Sequence, residues 1–363
     1  MKILFLADGS SEHTNNWIQY FANAGHQIGL ISMKEFPFKL VDNLTIYTIP
    51  SAILSKETIF SYLANIIMNP FRVKKIIREF NPDIIHAHYL TDYGLLGYFV
   101  HFPLFVVTVW GSDIFVSPKT SFFDKIMAKK ILNSAKLITC DSQTAKNECL
   151  KYCEHPEKIK VIQWGLNLAV FPSRKQKGNN CAEITVLSTR NFNPNYNIDT
   201  IIEAIPFVIE KYPKIRVILK NYGGKKILDL KHLAHSLMVI EYIEFIDKIL
   251  EYNDLLDLIN SADIFISVPT SDSSSIDLQE AMACGLAVIV SDISANHEWI
   301  IDGWNGFIVP LRNPEKLALA IIQLIENPDL MLLFGRRNLQ IIKDRADREK
   351  HMKYMENLYQ KLI

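Results

Sequence analysis

The chain has 363 residues, 39 Lys and Arg balanced by 39 Asp and Glu, and 49% hydrophobic residues. Zero formal charge excludes a protein whose main affinity is for nucleic-acid phosphate, and so apolar a composition excludes a disordered or fibrous chain. At roughly 150 residues per domain, the length predicts two domains with a core each.

Short apolar runs alternate with segments of helical period, the pattern of parallel sheets covered on both faces. KILFLA, ended by Asp8, is too brief for a signal-peptide core and reads as a first buried strand. In the loop DGSSEHTNNW, Gly9 offers bare backbone to a ligand and His13 opens the next helix, where a plain helix-start role accounts for it equally well. QIGLIS and LTIYTI are the next strands. Asn69 to Phe80 then sets Val73, Ile76, Ile77 and Phe80 against Arg72, Lys75 and Arg78, the pattern of a helix lying on anionic lipid or of a solvated surface helix. DIIHAH puts His86 and His88 on one strand face, one imidazole to be packed and His88, nearer the loop, to face a ligand. The greasy stretch Leu95 to Trp110 is broken by His101 and Pro103 and falls short of the roughly 18 apolar residues of a membrane span, so it reads as a helix end and the strand LFVVTV. KLITC and IKVIQ are the last strands of this half.

Phe171 to Glu183, polar and poor in apolar residues, reads as a linker. Beyond it EITVLST, IRVILK, VIEYIEF, ADIFISV and AVIVSD are predicted strands, with FIVP an edge piece. From Lys343 onward Met352, Met355, Leu358, Tyr359 and Leu362 recur at helical spacing, predicting an amphipathic helix that reaches back to the first domain. The predicted organisation is 1–170, with 343–363 packed on it, a linker 171–183 and a second domain 184–342. Cys140, Cys149, Cys153, Cys181 and Cys284 show no metal spacing and read as reduced packing residues of a cytosolic protein.

Residues 262–292, ADIFISVPTSDSSSIDLQEAMACGLAVIVSD, carry the most chemistry. Ser273, Ser274 and Ser275 stand where a helix begins, and free N–H groups at such a point bind anions. Asp272 falls at the loop tip and Glu280 about two turns into the helix, which Gly285 ends. An ordinary capped helix accounts for much of this, but not for Glu280 among apolar neighbours in EAMACG, since a buried carboxylate needs a partner.

This segment, with HEWIIDGWNGFIVP after it, resembles the signature of family 4 glycosyltransferases, retaining nucleotide-sugar enzymes of GT-B fold. Their paired acids correspond to Asp272 and Glu280, and a sub-branch writing S-D-G-x-S-x-S matches Thr270 to Ser275, with Ser273 for the Gly and Asp277 for the last Ser. VLSTRNFNPNYNIDTIIEAI is similar to the family's first strand and loop of the donor domain, where Arg190 matches the basic residue that clamps the diphosphate and Asn195 stands for a partner Lys. NYGG stands at a Gly-x-Gly turn, IQWGLNLAVF at the hinge before the linker, and VTVWGSDIF at an H-G-x-D motif whose His is Trp110. An H-T-x-x-W pattern like that at His13 recurs in the same sub-branch.

The resemblance implies two Rossmann-like doubly wound α/β domains facing across a cleft. It implies donor contacts at Gly9, Arg190, Ser273, Ser274, Ser275, Ile276 and Glu280, catalytic roles for His13, His88 and Asp272, and acceptor-side roles for His86, Trp110 and Asp113. The implied reaction is hexosyl transfer with retention from an NDP-sugar, UDP-linked, to a glycan or lipid-linked acceptor in surface polysaccharide or lipopolysaccharide synthesis. No Asp-x-Asp handle occurs, so neither metal nor cofactor is expected, and nucleic acid is not an expected partner. The expected location is cytoplasmic, with peripheral membrane contact as an option. A nucleotide-sugar epimerase and a catalytically degenerate GT-B partner protein are the competing readings.

Overall fold

The computed structural model describes residues 1–50, 59–163, 165–171, 183–221 and 227–363, with residues 59–67 described by their backbone alone. The predicted linker therefore lies largely outside the described residues, as does Cys181; the other four cysteines are buried free thiols. The chain divides into two compact units, Met1–Trp164 with Glu349–Ile363, and Gly165–Arg348.

The first unit holds a seven-stranded parallel sheet of β1 (Lys2–Leu6), β2 (Gln27–Ser32), β3 (Leu44–Thr48), β4 (Ile84–His88), β5 (Phe105–Val109), β6 (Leu137–Cys140) and β7 (Ile159–Val161), in the order β3-β2-β1-β4-β5-β6-β7. β4 and β5 are buried at every position, as continuous Ile, Val and Phe runs require in a sheet covered on both sides. The order reverses between β1 and β4, which opens a crevice at their carboxyl ends. The terminal helix Arg348–Leu362 buries Met352, Met355 and Tyr359, and His26 Nε2 meets Glu356 Oε1 at 2.8 Å.

Of the two readings of Asn69 to Phe80, the packing removes the lipid-facing one. It is the end of the helix Ile59–Phe80, and Val73 is buried while Ile76, Ile77 and Phe80 pack on the core that contains Leu4, Ile31 and Ile85. The apolar face is spent on the protein.

The second unit repeats the architecture with six parallel strands, β8 (Ile184–Ser188), β9 (Ile215–Asn221), β10 (Ile243–Asp247), β11 (Ile264–Ser267), β12 (Ala287–Ser291) and β13 (Phe307–Val309), in the order β10-β9-β8-β11-β12-β13. The predicted strand VIEYIEF starts late: Ile240–Tyr242 is a 3-10 turn, closed by Tyr242 N–H donating to Val239 O at 3.1 Å. One sheet face packs on the helices Ile198–Ile209 and Pro314–Glu326, the other on Tyr252–Ser261 and Ile276–Ala283. Gly165 has φ +66°, and a Cβ there would come within 2.6 Å of the Arg348 backbone, so the hinge-like segment admits only glycine. Among the described residues no single helix is long and apolar enough to cross a membrane. Pro314–Glu326 and Pro328–Arg345 pass that test only together; they are bent by 101° and bury Leu317, Ile321, Leu324 and Phe334 in the core.

Candidate functional site

In the second unit the strand order reverses between β8 and β11, and the charged residues gather at that switch point. Arg190 leaves β8 and is buried. Its Nη1 donates to Ser275 Oγ at 2.6 Å and Asp277 Oδ2 at 2.8 Å, its Nη2 to Asp272 Oδ2 at 2.6 Å, and the guanidinium lies 4.1 Å from the centroid of the Tyr196 ring. Burial disfavours the charge, but Asp277 and Asp272 more than compensate and raise its pKa. Ser275 is also the N-cap, accepting from Leu278 N–H at 3.2 Å, and Ile276 is the first helical residue, half-buried against the core. One guanidinium thus ties together strand end, loop tip and helix start.

The loop is shaped around it. Ser273 N–H donates to Asp272 Oδ1 at 2.9 Å, and Gln279 Nε2 to Ser274 Oγ at 2.9 Å. Asn195, which replaces a family lysine, holds the loop instead: its side-chain N–H donates to Ser271 O at 2.8 Å, and its Oδ1 accepts from Ser271 N–H at 3.1 Å. Glu280, the fifth helical residue and little more than one turn past the Ser275 cap rather than the expected two, is buried, and burial, reinforced by Asp277, pushes its pKa up to about 8 against the pull of Tyr252, Lys220 and Arg348. Lys220, almost wholly buried on β9, was missed by the sequence reading, although a lysine inside the apolar run IRVILK was the available signal. Of NYGG, only Asn221 is described; its Oδ1 accepts from Phe192 N–H at 3.2 Å and its Nδ2 donates to Asp247 Oδ1 at 2.9 Å.

In the first unit the crevice end is aromatic. His88 is enclosed by Phe5, Trp17, His86 and Trp110 with ring centroids 4.8–5.5 Å away, and Trp110 also stacks edge-on with half-buried His13 at 5.1 Å. Burial, with His13 adding repulsion, lowers the His88 pKa to about 3, so this imidazole is neutral at pH 7. The next residue, Tyr89, has φ +82°, uncommon for so bulky a side chain, and leads into a π-helical turn at Leu90–Gly94.

Three residues expected to meet ligand have structural partners within the protein. His86 is fully buried, with Nδ1 at the Tyr359 hydroxyl and Nε2 2.6 Å from Thr108 Oγ1, so it anchors the terminal helix rather than meeting an acceptor. Asp113 is buried and accepts from Leu90, Trp110 and Gly111 N–H at 2.9–3.0 Å, tying the β4 and β5 loops together. Gly9 donates its N–H to Ser32 Oγ at 2.9 Å, and a Cβ there would press on Ser32 and the Lys34 carbonyl, so its small size serves the protein's own loop. Among the described residues no group of three or more His, Cys, Asp or Glu side chains is placed to hold a metal ion.

Residues 2–142 match the family model of glycosyl transferase 4-like proteins, and residues 171–340 that of glycosyl transferases group 1. This chain is a family 4-type glycosyltransferase of GT-B fold. The transferase is 27% identical over 248 residues to an uncharacterized glycosyltransferase of Methanocaldococcus jannaschii, covering 67% of this chain and 62% of that one. It is 20% identical to the N-acetyl-alpha-D-glucosaminyl L-malate synthase of Bacillus anthracis (93% and 90%) and 20% identical to the alpha-monoglucosyldiacylglycerol synthase of Acholeplasma laidlawii (93% and 90%). Among solved structures, Anabaena HepE in complex with UDP and glucose superposes at a TM-score of 0.79 with 18% identity, over 99% of this chain and 100% of that one. Sucrose-phosphate synthase of Thermosynechococcus elongatus superposes at 0.82 with 16% identity, over 100% and 99%.

Proposed function

We propose that this glycosyltransferase moves a sugar from a UDP-sugar, with retention at the anomeric carbon, to a glycan or lipid-linked acceptor in surface polysaccharide or lipopolysaccharide synthesis. The observation that carries the reading is Arg190 bound to the N-cap Ser275 at the switch point of the second sheet. A guanidinium beside a helix start holding Ser273 and Ser274 is a preorganised set of donors for a leaving diphosphate. Asp272 and Asp277 occupy Arg190 in the free protein, so the phosphates take over part of that coordination on binding. Asp272, released from Arg190, turns to the sugar hydroxyls, and Glu280 accepts from the ribose. His88, being neutral, orients an acceptor hydroxyl as a hydrogen-bonding group, with His13 beside it and Trp110 as an apolar wall for the sugar. The HepE complexes with UDP and UDP-glucose and a relative that makes a glucosyl lipid support the donor and acceptor classes.

A lipid-linked acceptor is supported by a face different from the one the sequence suggested. On the helix Phe122–Ser134, Phe122 is 79% exposed, Phe123 52% and Ile126 39%, and Lys125, Lys129 and Lys130 are exposed with them, while Met127, Ala128, Ile131 and Leu132 face the core. Greasy side chains ringed by lysines suit an anionic membrane surface.

A thermal-shift screen of nucleotide sugars, followed by transfer assays with NMR assignment of the product anomer, tests the function. An α-linked product from an α-linked donor is expected. An inverted product removes the retaining mechanism, isomerisation of the donor without acceptor establishes an epimerase, and donor binding with no turnover over a broad acceptor panel establishes a binding partner. Vesicles of phosphatidylglycerol should sediment the wild type and not F122S/F123S; equal sedimentation of both removes the membrane face.

A further inference from the structure

Lys220 sits where an apolar residue would be cheaper. Ser188 of β8 pairs with Leu219 of β9, so Lys220 lies beside the start of the Arg190 loop. Side chains alternate along a strand. Leu219 enters the core under the helices Ile198–Ile209 and Pro314–Glu326, whereas Ile218 packs with Leu187, Phe265, Leu278, Ala281 and Met282. Lys220, two residues on, shares the face of Ile218, which is covered by the helix bearing Asp277 and Glu280. A buried ammonium there is tolerable only against acids. Burial lowers the Lys220 pKa, and Asp277 and Glu280 are the groups that raise it.

The charges do not balance without it. Arg190 is engaged by Asp272, Asp277 and Ser275, leaving Glu280 to find another cation. The titratable groups that reach Glu280 are Asp277 on its own helix, Tyr252 at the start of the neighbouring helix Tyr252–Ser261, Lys220 on β9 and Arg348. Tyr252 supplies a hydrogen bond; of the two cations, Lys220 is the one held within the sheet.

We propose that Lys220 is a positioning residue that favours the charged form of the Glu280 carboxylate and fixes it, so that it accepts both hydroxyls of a ribose. This rests on the reading of the second unit as the nucleotide site. A protonated Glu280 has one oxygen turned donor and loses one of those acceptor positions. Lys220 thereby ties nucleoside recognition to pH, independently of the diphosphate contact at Arg190.

Calorimetric titration of UDP from about pH 6.5 to 9, across the Glu280 transition, tests this with wild type, K220M, K220Q, K220R and E280Q. Wild-type affinity should rise through a limb near pH 8, and K220M and K220Q should carry the limb upward by roughly one pH unit, with K220R restoring it. E280Q should show no limb. Two neutral substitutions with thermal melts alongside separate the effect from misfolding. An unmoved limb in K220M and K220Q, or a loss of affinity equal at every pH, overturns the role of Lys220 while the E280Q result leaves the nucleotide site standing. If E280Q keeps the wild-type affinity and limb, the assignment of Glu280 to the ribose fails, and the role of Lys220 with it.

Discussion

The carboxyl ends of the two sheets share a topology and differ in chemistry. Each lies where strand order reverses about a first central strand, yet one is walled by His13, His88, Trp17 and Trp110 and the other by Arg190, Lys220, Asp272, Asp277 and Glu280. The aromatic end holds the His88 imidazole neutral by burial; the ionic end keeps charge buried by pairing it. Neutral rings suit a hydroxyl-rich acceptor, whereas a paired guanidinium can exchange a carboxylate for a phosphate. The fold supplies the crevice, and the side chains at its rim decide what each half binds.

The sharpest way to break this contrast is at Arg190. R190M should weaken UDP binding on the order of 100-fold or more by calorimetry, since a bidentate charged contact is lost and the half-buried Asp272 and Asp277 carboxylates are left without their cation. R190K should recover only part, because a point charge cannot serve Asp272, Asp277 and Ser275 in one plane. Unchanged UDP affinity in R190M would move the diphosphate elsewhere.

Next come the two buried acids, one at each end. Burial raises Glu280 from 4.5 to about 8 and Asp113 from 3.8 to about 6, the latter against three backbone hydrogen bonds. For an acid whose folded pKa is raised, both states hold the proton at low pH and the unfolded chain releases it first. Stability is therefore lost as pH rises, from 4.5 to about 8 for Glu280 and from 3.8 to about 6 for Asp113. E280Q should flatten the upper window and D113N the lower one in urea-denaturation series; a wild-type curve flat from pH 4.5 to 8 would contradict both.

Y359F leaves His86 Nδ1 buried without its hydroxyl and should cost about 1–3 kcal/mol in urea denaturation, with UDP affinity untouched. The smallest effect is expected at the aromatic wall: W110A should lower transfer on the order of 10-fold through poorer acceptor positioning while UDP affinity stays within about twofold. A larger loss of UDP affinity than of transfer would erase the division of labour between the ends.

The strands were legible because a buried parallel sheet writes itself as uninterrupted Ile, Val and Phe, and only the entry to β10 was misjudged, where Glu241 and Tyr242 wind a turn first. Asp272, Ser275 and Glu280 were legible as a motif on one strand-loop-helix unit, and Arg190 by its resemblance at the end of a separate strand, β8. The histidine pair was legible as a pair with one packed member, but the structure buries both, His86 against Tyr359, 273 positions away, and His88 among four rings. The apolar stripe of Asn69 to Phe80 was legible as a stripe with lipid or a surface-helix role both open, and the core that covers it decided against lipid, because periodicity does not say what covers it.

By itself, then, the sequence determined the alternation of strand and helix, the two-part division and the ion-bearing loop, all set by neighbours along the chain. Tertiary structure decided the rest: Lys220 beneath Glu280, Asn195 as a loop clasp, Asp113 and Gly9 as internal fasteners, and Phe122 and Phe123 in the open. Burial and charge pairing depend on what distant segments bring within a few ångströms, and no local spacing carries that information.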